Sequence, residues 1–241
     1  MDAIRTVDLT KRYGDLVAVD HENITVAEGS LFALLGVNGA GKTTTISMLT
    51  GLTRPTSGDA YLLGKSILKD GAWIRERINV APQETAVAQN LTVRENLELI
   101  AGIYGQPHAK AVASARHVID VFSLADVASR RASALSGGMR RRLSIAMGLI
   151  TSPKILFLDE PTVGLDVFAR RELWKVIASL KGSTTMLLTT HYLEEVETLA
   201  DMVAIMVAGS VVATGTVEQL KEKTGASTLE DAFVALAGGA R

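Results

Sequence analysis

Short runs of apolar residues, each bounded by glycine, proline or polar residues, recur along the chain. Residues 31–35 (LFALL), 155–158 (ILFL) and 186–188 (MLL) are apolar throughout rather than alternating with polar positions. Continuous apolarity is typical of strands in a parallel sheet that is covered on both faces. These runs therefore predict the buried core of an α/β domain.

Other stretches mix apolar with polar residues, as half-exposed strands do. They span residues 4–9, 17–26 and 59–63, and they predict an antiparallel side sheet. Near the C-terminus, residues 202–208 and 211–214 flank Gly209 and Ser210. This pattern predicts a hairpin with those two residues in the turn.

Helical spacing replaces these patterns between residues 84 and 150. One predicted helical face carries Leu97, Ile100, Ala101 and Tyr104, and another carries Val112, Ala115, Ile119 and Phe122. Thr92 and Glu95 have the spacing of a capping box at a helix start, and Gly105 is a stop signal. We therefore expect a helical lobe inserted into the sheet-based core. Two short helices are predicted later, at residues 217–223 and 229–237.

Composition narrows the class of protein. The chain has 241 residues, of which 47% are hydrophobic, and this is ample material for one large domain with an inserted lobe. Its apolar runs are all far shorter than the ~20 residues of a membrane helix. Charges in the opening MDAIRTVDLT argue against a signal peptide, and zero Cys excludes disulfides and thiolate metal sites. A net charge of -1 gives no general attraction to nucleic acid.

The glycine-rich run GVNGAGKTT follows the first apolar strand and precedes a helical pattern. Glycines allow a tight turn in which backbone N–H groups and a helix N-terminus point at one anion, which suits a nucleotide's phosphates. Lys42 is then expected to reach the β- and γ-phosphates, Thr43 to bind Mg²⁺, and Thr44 to contact the α-phosphate. The residues predicted to contact the nucleotide here are Gly36, Asn38, Gly39, Ala40, Gly41, Lys42, Thr43 and Thr44. The alternative is an ordinary glycine-rich turn with a surface lysine.

A second motif, KILFLDEP, is an apolar strand that ends in two adjacent carboxylates, Asp159 and Glu160. Two acids at a strand end are costly unless a cation is near, and Mg²⁺ with ATP supplies one. We expect Asp159 to hold the metal through its water shell and Glu160 to act as the general base toward water. The alternative is a strand that ends in a solvated acidic turn.

Between these motifs lies LSGGM, residues 135–139, followed by RRRLSIAMGLI. The three motifs in this order resemble the nucleotide-binding subunit of ABC transporters, and the resemblance covers nearly the whole chain. It implies that Tyr13 stacks on adenine, that Gln83 is the glutamine-loop residue near the metal and the attacking water, and that Asp166 and His191 are the D-loop aspartate and the switch histidine.

The LSGGM segment also fits an anion site on physical grounds. Ser136 can cap a helix, Gly137 and Gly138 allow close approach to a phosphate, and a stripe of Leu143, Ala146, Met147 and Ile150 follows. In the family this segment binds the γ-phosphate held by a second subunit. Met139 departs from the usual glutamine, which puts the tuning of turnover in question. Arg140 to Arg142 are expected to form a solvated face.

The resemblance implies a fold, a division of the chain and partners. The expected fold is an α/β P-loop NTPase (RecA-like) core with an antiparallel β side sheet and an inserted helical subdomain. Residues 1–83 and 151–224 are assigned to the core, 84–150 to the helical subdomain and 225–241 to a short C-terminal helix. ATP and Mg²⁺ are the implied cofactors. The implied partners are a separate transmembrane permease, contacted through residues 83–90, and a second nucleotide-binding subunit in a homodimer, at the cytoplasmic face of the membrane.

Three segments are similar to the exporter branch that includes drug and sodium extrusion ATPases: LTVRENLELIAGIYG, RRELW and STLEDAFVALAGG. Two alternatives compete with a transporter ATPase. One is an ATPase of the same family that acts on DNA or ribosomes, whose usual coiled coils, zinc modules or second nucleotide-binding domain are not present. The other is a regulatory subunit that binds ATP without hydrolysis, which the presence of Glu160 and His191 argues against.

Overall fold

Two sheets and the helices around them make up the computed structural model, which describes residues 1–239. The strands are β1 (Asp2–Tyr13), β2 (Leu16–Glu22), β3 (Thr25–Ala27), β4 (Leu31–Leu35), β5 (Ser57–Leu62), β6 (Lys65–Ser66), β7 (Ile78–Ala81), β8 (Ile155–Asp159), β9 (Thr185–Thr190), β10 (Met202–Val207) and β11 (Ser210–Gly215). The helices are α1 (Lys42–Leu49), α2 (Gly71–Arg75), α3 (Val93–Ile103), α4 (His108–Val121), α5 (Gly137–Leu149), α6 (Val167–Ser179), α7 (Leu193–Leu199), α8 (Val217–Thr224) and α9 (Leu229–Gly238).

The larger sheet has the strand order β11-β10-β4-β9-β8-β7. Neighbouring strands from β10 to β7 are parallel, and only β11 is antiparallel to its neighbour. Every residue of β4, β8 and β9 is buried, as expected for central strands covered on both faces. The predicted parallel core is confirmed.

The smaller sheet is antiparallel, with the order β2-β1-β5-β6 and β3 paired to β1. This confirms the predicted side sheet, although the single stretch 17–26 divides into β2 and β3. Phe32 and Leu34 of β4 share one buried apolar cluster with Ile4 and Leu9 of β1. The side sheet therefore packs on the same core as the parallel strands.

Helices α3, α4 and α5 lie between β7 and β8 in the chain, and these two strands are neighbours in the sheet. The capping box of Thr92 and Glu95 is present at the start of α3, and Gly105, with φ 76°, follows its end. Tyr104, predicted on the buried face, is 47% exposed because it lies past the last residue of α3. The assignment of 84–150 as a separate subdomain stays a prediction.

The C-terminal hairpin is present, but its turn is one residue earlier than predicted. Val207 pairs with Ser210, so Ala208 and Gly209 form the turn, with φ values of 46° and 88°. Both residues have positive φ, as the favoured two-residue hairpin turn requires. The predicted helices 217–223 and 229–237 correspond to α8 and α9. The last two residues of the assigned segment 225–241, Ala240 and Arg241, lie outside the described residues.

The edge strand β7 and the short helix α2 were not predicted. Asn79 interrupts the apolar run of β7, and α2 has only five residues, so neither gives a clear periodic signal. Across residues 1–239, none of the helices has the length and apolarity needed to cross a membrane.

A buried carboxyl group lies beneath the start of α1. Glu22 is 1% exposed, its Oε2 accepts a hydrogen bond from the Thr45 hydroxyl at 2.7 Å, and its Oε1 has no partner. Burial raises the pKa of Glu22 from 4.5 to about 7, against the lowering effect of the Thr45 hydroxyl. The folded protein therefore binds this proton more tightly than the unfolded chain does.

This pKa predicts that stability contributed by Glu22 is fully present below pH 4.5 and is lost as the pH rises through about 7. Glu22→Gln should unfold with the same free energy as the wild type at pH 5 and be more stable on the order of 2–3 kcal/mol at pH 8. Denaturant unfolding at both pH values measures this. Glu28→Gln, at an exposed position, is the control. If the difference in unfolding free energy between Glu22→Gln and the wild type is the same at both pH values, the raised pKa of Glu22 is refuted.

Candidate active site

The turn between β4 and α1 depends on glycine at two positions. A Cβ on Gly36 would lie 2.5 Å from the carbonyl oxygen of Met206, and one on Gly41 would lie 2.4 Å from that of Ala18. Gly41 also has φ 110°, a conformation that other residues rarely adopt. It occupies the N-cap position of α1 without a capping side chain. The first N–H groups of α1 are thus available to an anion.

Lys42 opens α1, and its ammonium group is buried inside the turn. Nζ donates to the carbonyl oxygens of Gly36 at 2.7 Å and Val37 at 3.2 Å. It also lies 3.1 Å from Glu160 Oε1, and both side chains are 6% exposed. The predicted phosphate-binding lysine is therefore already paired with the predicted general base.

The two carboxylates at the end of β8 have different surroundings. Asp159 Oδ1 accepts hydrogen bonds from the hydroxyls of Thr43, at 3.2 Å, and Thr189. Glu160 has the positive φ of 46°, and its Oε2 lies 2.9 Å from His191 Nδ1. A non-glycine residue in this region is strained, and such residues cluster at functional sites. The alternative of a solvated acidic turn is wrong, because both carboxylates are 5% exposed.

These groups border a cleft of about 890 Å³, a volume suited to a nucleotide. The predicted site residues that line this cleft are Tyr13, Asn38, Gly39, Ala40, Gly41, Lys42, Thr43, Thr44, Gln83, Glu160 and His191. The ring of Tyr13 is 49% exposed, which leaves a flat surface on which a base can stack. Lys11 Nζ lies 4.8 Å from the centroid of that ring.

Six predicted site residues do not line this cleft. Gly36 and Asp159 lie behind it, where they bind the side chains of Lys42 and Thr43, and the other four belong to α5 and α6 or their N-caps. Ser136 caps α5 by accepting from the Met139 N–H at 3.3 Å, and Gly137 and Gly138 form the first turn of that helix. Asp166 caps α6 by accepting from the Ala169 N–H at 2.9 Å. Within one chain, these four residues are therefore helix-terminal groups apart from the nucleotide cleft.

One expectation about the LSGGM helix is wrong. Arg141, assigned to a solvated face with Arg140 and Arg142, is 3% exposed and donates hydrogen bonds to backbone carbonyls at the cleft. The burial of Arg141 could have been predicted from Ile145, which lies one helical turn later and forms a second apolar stripe with Leu149. Helix α5 is buried on more sides than the one predicted stripe indicates.

A family model described as ABC transporter matches residues 19–163, more than half of the chain. The chain belongs to the ABC transporter family. The daunorubicin resistance ATP-binding protein DrrA3 of Streptomyces coeruleorubidus is 43% identical over 231 residues, which are 95% of this chain and 73% of that protein.

Solved structures agree with this assignment. One titled as the ATP-binding subunit of an ABC transporter is 28% identical, has a TM-score of 0.86 and covers 97% of this chain and 99% of that one. The dimeric structure of MJ0796, a bacterial ABC transporter cassette, is 23% identical with a TM-score of 0.80, over 89% of this chain and 98% of that one, and it supports the fold alone.

The family membership confirms the main sequence predictions. The fold is that of a P-loop NTPase, and the chain is an ATP-binding, ATP-hydrolysing subunit of an ABC transporter, similar to drug-resistance exporters. This also decides against an ordinary glycine-rich turn at residues 36–44. The roles of the individual site residues remain predictions.

The pairing of Lys42 with Glu160 leads to a prediction about binding. Glu160→Gln removes the charge that competes with phosphate for the Lys42 ammonium, so ATP should bind about 10-fold more tightly while hydrolysis stops. Equilibrium binding and phosphate release measure the two effects. Asp166→Asn neutralises a carboxylate outside the cleft and is the control, since it should not change ATP binding by a single chain. Unchanged or weaker binding by Glu160→Gln would contradict the competition.

Proposed function

We propose that the cleft binds ATP through the turn at residues 36–44 and hydrolyses it with Glu160 as the general base. The single observation that carries this proposal is the contact of Glu160 with both Lys42 and His191 at the end of β8. Lys42 binds the β- and γ-phosphates, and Tyr13 stacks on adenine. Glu160 accepts a proton from the attacking water, and His191 holds its carboxylate in place.

The residues beside Lys42 suit Mg²⁺. The Thr43 hydroxyl and the Asp159 carboxylate are hard oxygen donors that already lie 3.2 Å apart, and Mg²⁺ prefers one or two protein oxygens together with substrate phosphates. We assign Thr43, Asp159 and the nearby Gln83 to this ion. When bound, Mg²⁺ neutralises charge on the phosphates. Lys42 and the N–H groups at the start of α1 stabilise the remaining negative charge.

A second copy of the chain completes the site in this proposal. Ser136, Gly137 and Gly138 of one subunit bind the γ-phosphate held by the other, with Asp166 beside the interface. Exposed apolar side chains in the phosphate-binding turn, on α5 and at the start of α6 support a subunit contact. They are Val37 at 55% exposure, Met139 at 37%, Val167 at 56% and Phe168 at 84%. The dimer of MJ0796 is a precedent from a related cassette.

The dimer predicts a change in mass. Glu160→Gln keeps the side-chain size and blocks hydrolysis, so Mg²⁺ and ATP should double the mass of this variant in gel filtration with light scattering. Adding Ser136→Glu, which places a negative charge opposite the γ-phosphate, should abolish the doubling. Adding Ser129→Glu, an exposed substitution elsewhere on the lobe, should preserve it. A variant that stays monomeric at high ATP would argue against a homodimer and for a heterodimer.

A separate transmembrane permease is the second proposed partner, which places the chain at the cytoplasmic face of the membrane. Residues 83–90 lie outside helices and strands, and their side chains are exposed except for half-buried Val87. Nearby, α3 exposes Leu99 at 46% and Ile103 at 68%, which are four residues apart on one face. Helix α3 is joined to the segment 83–90 by the hydrogen bonds between Asn96 and Ala88. An apolar patch on this helix is suited to transmit ATP hydrolysis to a membrane protein. The similarity to drug-resistance ATP-binding proteins favours export over import as the direction of transport.

The exposed patch of Leu99 and Ile103 predicts variants that lose stimulation by the permease but keep basal ATPase activity. Ile103→Glu should leave basal ATPase activity within about twofold of the wild type, because Ile103 is exposed, and should abolish stimulation by the co-purified permease in detergent. Val234→Glu on α9 introduces the same charge at a position that is 64% exposed and is the matched control. Equal loss of basal and stimulated activity would indicate misfolding rather than a docking surface.

A further inference from the structure

Arg141 lies in the second turn of α5, the helix that begins with the LSGGM segment, and it is 3% exposed. Arginine is rarely buried to this extent without a defined set of partners. Burial lowers the pKa of Arg141, and the charges of Asp159, Glu195 and Glu160 act in the opposite direction. The guanidinium is thus held inside the protein next to the catalytic carboxylates.

All five N–H groups of this guanidinium donate to backbone carbonyl oxygens. Nε donates to Pro161 at 2.7 Å, Nη1 to Pro82 at 2.5 Å and Gln83 at 2.9 Å, and Nη2 to Asp159 at 2.8 Å and Glu160 at 3.1 Å. An arginine has five such donors in a fixed planar arrangement. Its hydrogen-bonding capacity is therefore used entirely on two loops.

These two loops begin where the pairing of β7 and β8 stops. The last paired residues are Ala81 and Leu158, so the guanidinium joins the chains directly beyond the end of the ladder. One loop carries Gln83, and the other carries Glu160, whose φ of 46° is strained. Contacts to the carbonyls on both sides of this strained residue fix the direction in which its side chain points.

We propose that Arg141 is a positioning residue that holds the loops of Gln83 and Glu160 in register with each other and with α5. The proposal rests on the proposed role of Glu160 as general base. Arg141 does not itself line the cleft, and it contacts the cleft-lining residues Gln83 and Glu160 only through their backbone carbonyls. We therefore expect it to act on the hydrolytic step and not on ATP binding.

The test is a split between kcat and ATP affinity in Arg141→Lys. Lysine keeps the positive charge but offers three donors from a single point, so it cannot satisfy both loops. We expect kcat to fall about 10- to 100-fold because the base is misplaced, with the ATP dissociation constant within about twofold of the wild type. Arg141→Gln, which also removes the charge, should lose at least as much turnover. Arg142→Lys, the same substitution at the next position of α5, is the matched control and should retain wild-type values.

Thermal melting of each variant separates positioning from folding. The proposal is overturned if Arg141→Lys retains kcat within about twofold, if kcat and ATP affinity fall together, or if this variant does not fold, since the role would then be purely structural. Glu160→Gln is measured in parallel. If Glu160→Gln still hydrolyses ATP, the proposed function itself fails. If Glu160→Gln is inactive but Arg141→Lys has normal turnover, only the proposed role of Arg141 is removed.

Discussion

The parallel register of β4, β9 and β8 is the constraint on which the active site depends. Leu34 pairs with Thr189, and Thr189 pairs with Asp159, so the C-terminal ends of the three strands lie side by side. The turn that follows β4, the acids that end β8 and the histidine that follows β9 must then converge at one edge. A slip of one residue would reverse the faces of the side chains and separate these groups.

That convergence places several charges in a poorly hydrated space, and their pairing follows from the cost of burial. Lys42 and Glu160 are both 6% exposed and form an ion pair, and hydroxyls of Thr43 and Thr189 bind Asp159. Removing one member of a buried pair leaves the other uncompensated, which is costly. In the proposed binding mode, phosphate would replace Glu160 as the negative partner of Lys42. The buried ion pair would therefore also affect the affinity for nucleotide.

The sequence predicted those parts whose signal is local. Residues 31–35 form a strand with the predicted bounds, because five consecutive apolar residues between polar flanks leave few other structures. The capping box at Thr92 is likewise a signal contained within four residues. The hairpin turn was displaced by one residue because pairing of Val207 with Ser210 depends on the opposite strand. Strand β7 was missed because its place is set by β8, which follows more than seventy residues later.

Arg141 was misassigned for a related reason. Its environment is made by carbonyl groups at residues 82–83 and 159–161, which no pattern within α5 contains. Backbone acceptors carry no residue-type signature, so a buried arginine that binds only carbonyls looks in sequence like an exposed one. Motif order, in contrast, correctly predicted which side chains lie together, since Lys42, Glu160 and His191 meet in the structure.

The position of Arg141 also bears on how two sites in the proposed dimer are related. The first turn of α5 carries the groups assigned to the nucleotide of the other subunit, while Arg141, in the next turn, binds the loops of its own subunit's base. A helix is stiff over this distance, because its backbone hydrogen bonds fix each turn to the next. In the proposed dimer, a displacement of Ser136 on contact with one γ-phosphate would therefore be transmitted along α5 to Glu160 of the opposite site. Two hydrolytic sites joined in this way, through one helix in each subunit, would have a direct route by which closure at one nucleotide affects turnover at the other.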